Sequence, residues 1–342
     1  MKDLIIIGAG PCGLAAAVEA QKNKLDYTVI EKGCIVNNIT KFPTYVRLFG
    51  EIEDFEIDSI PFSLPYGLPD KNDMMRYYYK ITEHFNLNVH QYEEVIDVSK
   101  LDKPQQTGFK VSTNKREYET RNVVFATGFV DNPRKFNVPG EELDKVKTMF
   151  TEAHYYANQK VIVVGTGHSG LEAICDLIKV NAQVTLVHRG SNLSYTPKRW
   201  MMANVRKAID EGKVTAYFNS TVQEITPEKV MIETPNGVKE IDNNFILRLI
   251  GFQPNYVPLQ ALGVEFDPVT NIPRFDKNSF ETNVKGIYCC GVVAGGSDVN
   301  TVTISDGRYH GIKIVQSILN KKEVNDFNVK GDYRCENLLL NY

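Results

Sequence analysis

The chain has 342 residues, 42% of them hydrophobic, and its 39 Lys and Arg against 42 Asp and Glu leave a formal net charge of −3. That length supports two domains with separate cores, and the charge balance excludes the basic footprint of a nucleic-acid binder. The longest apolar runs, such as Leu4–Ile7 and Val161–Val164, are strand-sized and far below the roughly 20 residues of a membrane-spanning helix, so no membrane partner is expected.

In chain order, the apolar strand Leu4–Ile7 is followed by the turn Gly8-Ala9-Gly10-Pro11-Cys12-Gly13 and an Ala-rich helix, Leu14–Gln21. A second strand, Tyr27–Ile30, ends on Glu31, 18 residues after Gly13. A GxGxxG turn between a strand and a helix, answered by an acid at the end of the next strand, predicts a dinucleotide cradle. Gly8 permits the tight turn, Gly10 lets the backbone approach a pyrophosphate, and Gly13 lets helix and strand pack closely. The helix N-terminus offers unpaired N–H groups to the phosphates, and Glu31 accepts the ribose hydroxyls. Because the strand runs straight into this turn, no signal-peptide pattern is read and a cytoplasmic protein is expected. The six cysteines (Cys12, Cys34, Cys175, Cys289, Cys290, Cys335) form no CxxC and no metal-ligand spacing. Free thiols in a reducing compartment, and no metal, are the expectation.

Further along, Lys71–Phe85 carries Met74, Tyr78, Ile81 and Phe85 at a helical period and leads into a strand, Leu87–His90. Phe109–Ser112 and Arg116–Glu119 read as a hairpin, and "NVVFATG", Asn122–Gly128, as a buried strand ending in a small-residue turn. The segment Asn132–Glu142, rich in Pro, Lys and Glu, is the expected crossing between domains. The device then repeats: strand Lys160–Val164, turn Gly165-Thr166-Gly167-His168-Ser169-Gly170, helix Leu171–Lys179 and strand Gln183–Val187. Where the first copy has Glu31, this one has His188-Arg189, and a guanidinium binds a 2′-phosphate that a carboxylate would repel. NADPH is therefore favoured over NADH. Lys198 and Arg199 either add charge there or form an ordinary solvated pair, and His168 is a weak candidate near the nicotinamide half, a surface residue otherwise. One acidic and one basic ribose site imply two nucleotides, FAD and NADPH.

"FILRLIGFQPN", Phe245–Asn255, is the second copy's exit turn, and "GIYCCGVVAGG", Gly286–Gly296, is followed by a helix carrying Asn300–Leu319. A strand and a helix cannot form a domain alone, so they are expected to return to the first one. The expected fold is α/β, with two Rossmann-like three-layer domains and the NADPH domain inserted into the FAD domain. Its boundaries fall at 1–150 and 253–342 for FAD and 151–252 for NADPH. In flavoproteins of this build the last helix aims its N-terminus at the flavin pyrimidine ring, which makes Asn300 and Thr301 candidates. N-cap chemistry at Ser297 or Asp298 is the plainer reading.

Taken together, the order of glycine turn, ATG turn, second turn with His188-Arg189, IGFQPN and YCCGVV resembles the low-molecular-weight thioredoxin reductase class over nearly the full length. It is most similar to the YpdA group of bacillithiol disulfide reductases. The closer match rests on "GAGPCGLAAA" (8–17), "VIEKGCIVNNITKFPT" (29–44), "YYYKITEHFNLNV" (77–89) and "GVVAGGSDVNTVTISDGRYHG" (291–311). The resemblance implies FAD and NADPH, a small-molecule disulfide such as bacillithiol disulfide as substrate, a bacilliredoxin-like protein partner and a homo-oligomer. It also implies Cys12 as the redox-active thiol, and adds Pro11, Cys12, Lys32, Asn38, Thr127, Gly128 and Gly291 to the FAD contacts. Two features depart from the class: no CxxC is present, and Val292-Val293 follows Gly291 where an Asp normally binds the FAD ribitol. Cys12 itself stays open between redox thiol and packing residue. A helix N-terminus lowers a thiol pKa, a pyrophosphate raises it, and the loop lies far from the isoalloxazine. Cys290 is the rival thiol. A ferredoxin- or flavodoxin-NADP reductase is one alternative function, and a flavin monooxygenase is another, from "MFTEAHYY" (149–156). A non-catalytic redox sensor is the last.

Overall fold

In this computed structural model the described residues are 1–48, 50–64, 67–101, 107–193 and 199–320. The chain divides into two compact units. The first is built from Met1–Thr40, Arg47–Asn132 and the chain from Gln253 onward, and the second from Lys41–Val46 and Pro133–Phe252.

The first unit opens with β1 (Lys2–Ile7), α1 (Pro11–Lys22) and β2 (Tyr27–Ile30), followed by α2 (Asn37–Thr40), α3 (Lys71–His84) and β3 (Val89–His90). It continues with β4 (Val95–Lys100), β5 (Phe109–Thr113) and β6 (Glu117–Phe125). Leu4–Ile7 is apolar at every position because parallel neighbours flank it, β2 on one side and β6 on the other, and both of its faces are buried. The helix of the 71–85 period starts on a reciprocal cap. The Asp70 carboxylate accepts from the Asn72 and Asp73 N–H groups at 2.8 and 3.0 Å, and that of Asp73 accepts from the Asp70 N–H at 3.1 Å.

Where the sequence suggests a hairpin arm and then a separate strand, the structure has the single nine-residue β6. Its first half pairs antiparallel with β5, Phe109 opposite Thr120, and its second half runs parallel to β1. Its first half is partly exposed and its second half is buried, which is why one half reads as alternating and the other as continuously apolar.

The second unit holds β7 (Val146–Lys147), β8 (Lys160–Val164), α4 (His168–Leu177), β9 (Gln183–Val187), α5 (Arg199–Asp210) and β10 (Val214–Tyr217). A meander of β11 (Thr221–Ile225), β12 (Lys229–Thr234) and β13 (Gly237–Asp242) leads to β14 (Phe245–Arg248). The parallel sheet has the order β10-β9-β8-β14-β7. One face packs Val161, Val163 and Leu186 against helix residues Leu171, Ile174 and Val205. The other packs Ile162, Val164 and Ile246 against Val230 and Ile232 of the meander. Residues 133–150 belong to this unit, whereas the sequence reading closes the first domain at 150. The physical reason is local: β7 pairs with β14, Phe136 and Val138 join the meander-side core, and Glu141 meets the buried Arg248 at 2.8 Å.

The chain then supplies the first unit with α6 (Val257–Ala261), β15 (Ile287–Cys289), α7 (Ile304–Gly307) and α8 (His310–Asn320). β15 pairs with β6, Ile287 opposite Val123, so the C-terminal part does complete the first sheet and the second unit is inserted within it. One element differs from expectation: Asn300 and Thr301 are not on the terminal helix. They lie in a turn, and the helix itself is split, α7 beginning after Thr303, whose backbone and side chain both bond to Asp306. α8 lies close along α1, since a Cβ on Gly311 would be 2.5 Å from the Ala16 Cα.

Candidate functional site

Both units place a glycine turn at the C-terminal end of the central parallel strand, and the two turns match glycine for glycine. Gly8 has φ +106° and Gly165 φ +107°. A Cβ at either would strike a carbonyl, Ala126 O at 2.5 Å and Leu249 O at 2.4 Å. Gly13 and Gly170 abut Gly8 O and Gly165 O, at 2.0 and 2.2 Å from where a Cβ would sit. Gly10 and Gly167 have nothing within 4 Å in that direction, and each caps a helix without a side-chain bond, Pro11 opening the first. The turn is thus forced by sterics at two glycines and left open at the third, in front of helix N–H groups. That cradle fits a pyrophosphate.

Around the first cradle the fold gathers most of the expected residues. The buried Glu31 carboxylate accepts from the Ala9 N–H and the Gly33 N–H, both at 2.8 Å, tying the cradle to the turn after β2. Gly128, at φ +69°, faces the Asn38 amide, 3.2 Å from where its Cβ would sit, and the Thr127 Cα lies 3.5 Å from that position at Gly8. Lys32 is exposed and pairs with Asp131 at 3.0 Å. Asn300 and Thr301 are engaged within their own turn, Asn300 with Asp298 at 3.0 Å and Thr301 Oγ1 with Gly295 O at 3.0 Å. Around the second cradle, the His188 ring lies 3.3 Å from Thr166 Oγ1. Burial, then the charge of Arg189, lowers the His188 pKa. His168 is half-buried at the first turn of α4, and Ser169, Arg189 and Arg199 are exposed. Lys198 lies outside the described residues.

Cys12 occupies a niche. Its Sγ would be 2.8 Å from a Cβ on Gly291 and 2.6 Å from one on Gly307, so two glycines from the C-terminal part of the chain make room for it. Burial, and secondly the Asp306 carboxylate, push this thiol up from 9.0 to about 12. Cys290 sends its Sγ to the Cys12 carbonyl at 3.6 Å, and burial raises its pKa too. Behind the niche, the Gly291 N–H donates to His310 Nδ1 at 3.1 Å. Sequence reasoning missed His310 and Gly307, since neither carries a motif spacing. Only the buried position of a histidine at a helix start hints at a task. Among the described residues no cluster of His, Cys, Asp or Glu is placed to hold a metal, and no helix is long and apolar enough to cross a membrane.

Residues 5–291 match the family described as pyridine nucleotide-disulphide oxidoreductase. The bacilliredoxin reductase Bdr of Bacillus subtilis (strain 168) is 35% identical over 321 residues, 93% of this chain and 98% of that protein. The solved bacillithiol disulfide reductase Bdr (YpdA) from Staphylococcus aureus superposes with a TM-score of 0.89 at 34% identity, over 94% of this chain and 99% of that one. That from Bacillus cereus has the same TM-score at 35% identity, with the same coverage.

Proposed function

We infer the function from kinship: the chain belongs to the pyridine nucleotide-disulphide oxidoreductase family, is an oxidoreductase, and uses FAD and NADPH. We propose that it reduces a low-molecular-weight disulfide, bacillithiol disulfide, either free or as its mixed disulfide with a bacilliredoxin-like protein. NADPH, a proton and one disulfide become NADP⁺ and two thiols. When bound, FAD supplies the two-electron relay between the nicotinamide and the disulfide. The observation that carries the reading is a pair of nucleotide cradles, one closed by Glu31 and one by His188-Arg189, in a chain without CxxC. Without that dithiol the usual relay from flavin to thioredoxin cannot operate.

In this proposal the first unit holds FAD through Gly8, Gly10, Pro11, Cys12, Gly13, Glu31, Lys32, Asn38, Thr127, Gly128 and Gly291, with Asn300 and Thr301 on the flavin side. The second holds NADPH through Gly165, Gly167, His168, Ser169 and Gly170, with His188, Arg189 and Arg199 at the 2′-phosphate. Cys12 is the proposed redox thiol: its sulfur attacks the disulfide, one thiol leaves, and two electrons from NADPH release the second and restore Cys12. At rest Cys12 is a neutral thiol packed against Gly291 and Gly307, so attack requires it to lose its proton. The proposal also places the protein in the cytoplasm as a homo-oligomer.

The test is anaerobic NADPH oxidation by the FAD-loaded protein with bacillithiol disulfide, for wild type and Cys12→Ala. Turnover by the wild type supports the function, and its loss in the variant with normal flavin reduction assigns the thiol. Flavin reduction without turnover on that disulfide, or on a bacilliredoxin mixed disulfide, would refute the proposed substrate.

A further inference from the structure

Gly291 opens the turn that carries Val292-Val293 where the class has a ribitol-binding Asp, so the backbone of this turn has to be held in place without that side chain. Gly291 sits at φ +63°, buried, with the Cys12 side chain occupying the space a Cβ would need. Its N–H does not face solvent. It donates to His310 Nδ1, a buried ring 7% exposed at the start of α8.

We propose that His310 is a positioning residue of the flavin site, whose Nδ1 anchors the Gly291 N–H and so fixes the turn that carries Val292-Val293 in place of the missing Asp. An accepting Nδ1 leaves the ring proton on Nε2, so the geometry demands the neutral imidazole in one tautomer. A protonated ring would set two donors against each other.

The ring is itself held with unusual firmness. It stacks on Phe280 at 3.8 Å between centroids and 20° between planes, and Phe280 stacks in turn on Phe275 at 5.3 Å. Phe280 adopts φ +58°, a left-handed conformation that a bulky side chain takes only where its surroundings compel it. Its carbonyl accepts from the Cys289 N–H at 3.1 Å, just ahead of the Cys290-Gly291 turn. Two independent links, one through the imidazole and one through the Phe280 backbone, therefore join the aromatic stack to the segment that runs into Gly291. Burial, and then Lys313, hold His310 down to about 3, which keeps Nδ1 an acceptor throughout the neutral range.

Two variants separate the acceptor from the ring. His310→Phe keeps the stacking surface and removes the acceptor, while His310→Asn supplies an oxygen close to the Nδ1 position and removes the ring. The full-length chain, freed of flavin, is titrated with FAD by fluorescence quenching, alongside its thermal midpoint. We expect His310→Phe to weaken FAD binding about tenfold or more, an effect of one unpaired buried N–H, and His310→Asn to recover most of that affinity. Wild-type affinity in both variants would overturn the proposal. Equal loss in both would overturn it as well, because the ring and not the acceptor would then be responsible. The test depends on FAD binding alone, so the substrate proposed above can fail without affecting it.

Discussion

Cys12 is the residue on which the structure makes its most quantitative demand. Its thiol pKa is raised from 9.0 to about 12 by burial and by Asp306. That rise corresponds to about 4 kcal/mol against ionisation. At neutral pH the resting protein therefore carries about a thousandfold less Cys12 thiolate than an ordinary thiol would. Bound pyrophosphate acts in the same direction. Since only the thiolate is alkylated, iodoacetamide should modify Cys12 at least about a thousandfold more slowly than a small free thiol at the same pH, and tenfold faster for each added pH unit. The assay is mass spectrometry of the Cys12 peptide over time, with the protein at rest and again during anaerobic turnover. If Cys12 is the redox thiol, its modification must accelerate sharply once NADPH and the disulfide are present, because the thiol has to ionise to react. Alkylation of the resting protein at the rate of a free thiol near pH 7 would refute the geometry from which the argument starts.

The two outer glycines of each cradle and the middle one should behave oppositely. Gly13→Ala, whose Cβ would meet Gly8 O at 2.0 Å, should lower the thermal midpoint by several degrees or abolish folding, whereas Gly10→Ala should leave the flavin-free midpoint almost unchanged and weaken FAD binding. Replacing Arg189 by Ala should raise the KM for NADPH about tenfold or more with little change for NADH, read from initial rates of flavin reduction. Glu141→Gln should destabilise the protein by about 3–5 kcal/mol in denaturant titrations, because Arg248, 7% exposed, would keep a buried charge without its counter-charge. His310 gives a sign for acid. Its pKa is depressed to about 3 when folded against 6.5 otherwise, so its contribution is fully present above pH 6.5 and is lost as pH falls from there toward 3. His310→Asn should flatten that part of the stability profile, measured by thermal melts across the window.

The cradles were legible in the sequence because their logic is steric and local. A strand, three glycines at fixed offsets and a helix leave little choice, and the structure places all six glycines as that logic requires. The return of the C-terminal part was legible for a similar reason, since a lone strand needs a sheet. What was not legible depends on residues remote in sequence. The pattern over 300–319 reads as one helix, yet it breaks at Arg308-Tyr309, just after Gly307, which lies bare against Cys12, a contact that no local window contains. Arg248 reads as part of an apolar strand run, and its partner lies over a hundred residues earlier. His310 has meaning only once Gly291 is seen to need an acceptor.

These remote contacts also sharpen what Cys12 can do. Cys12, Gly291, Gly307 and His310 come from three stretches of chain and form one continuous packing unit. The niche lacks room for a Cβ on either glycine, so a low-molecular-weight thiol attached to Cys12 cannot extend toward them. A mixed disulfide extending that way would displace either the cysteine side chain or the Gly291 turn. If the cysteine moves, the turn and its His310 anchor survive and FAD stays bound through the cycle. If the turn moves, thiol chemistry at Cys12 must loosen the flavin, and FAD release on incubation with excess disulfide would report it. The first route is the one compatible with a catalytic cycle, because it leaves the hydrogen bond from Gly291 to His310 in place.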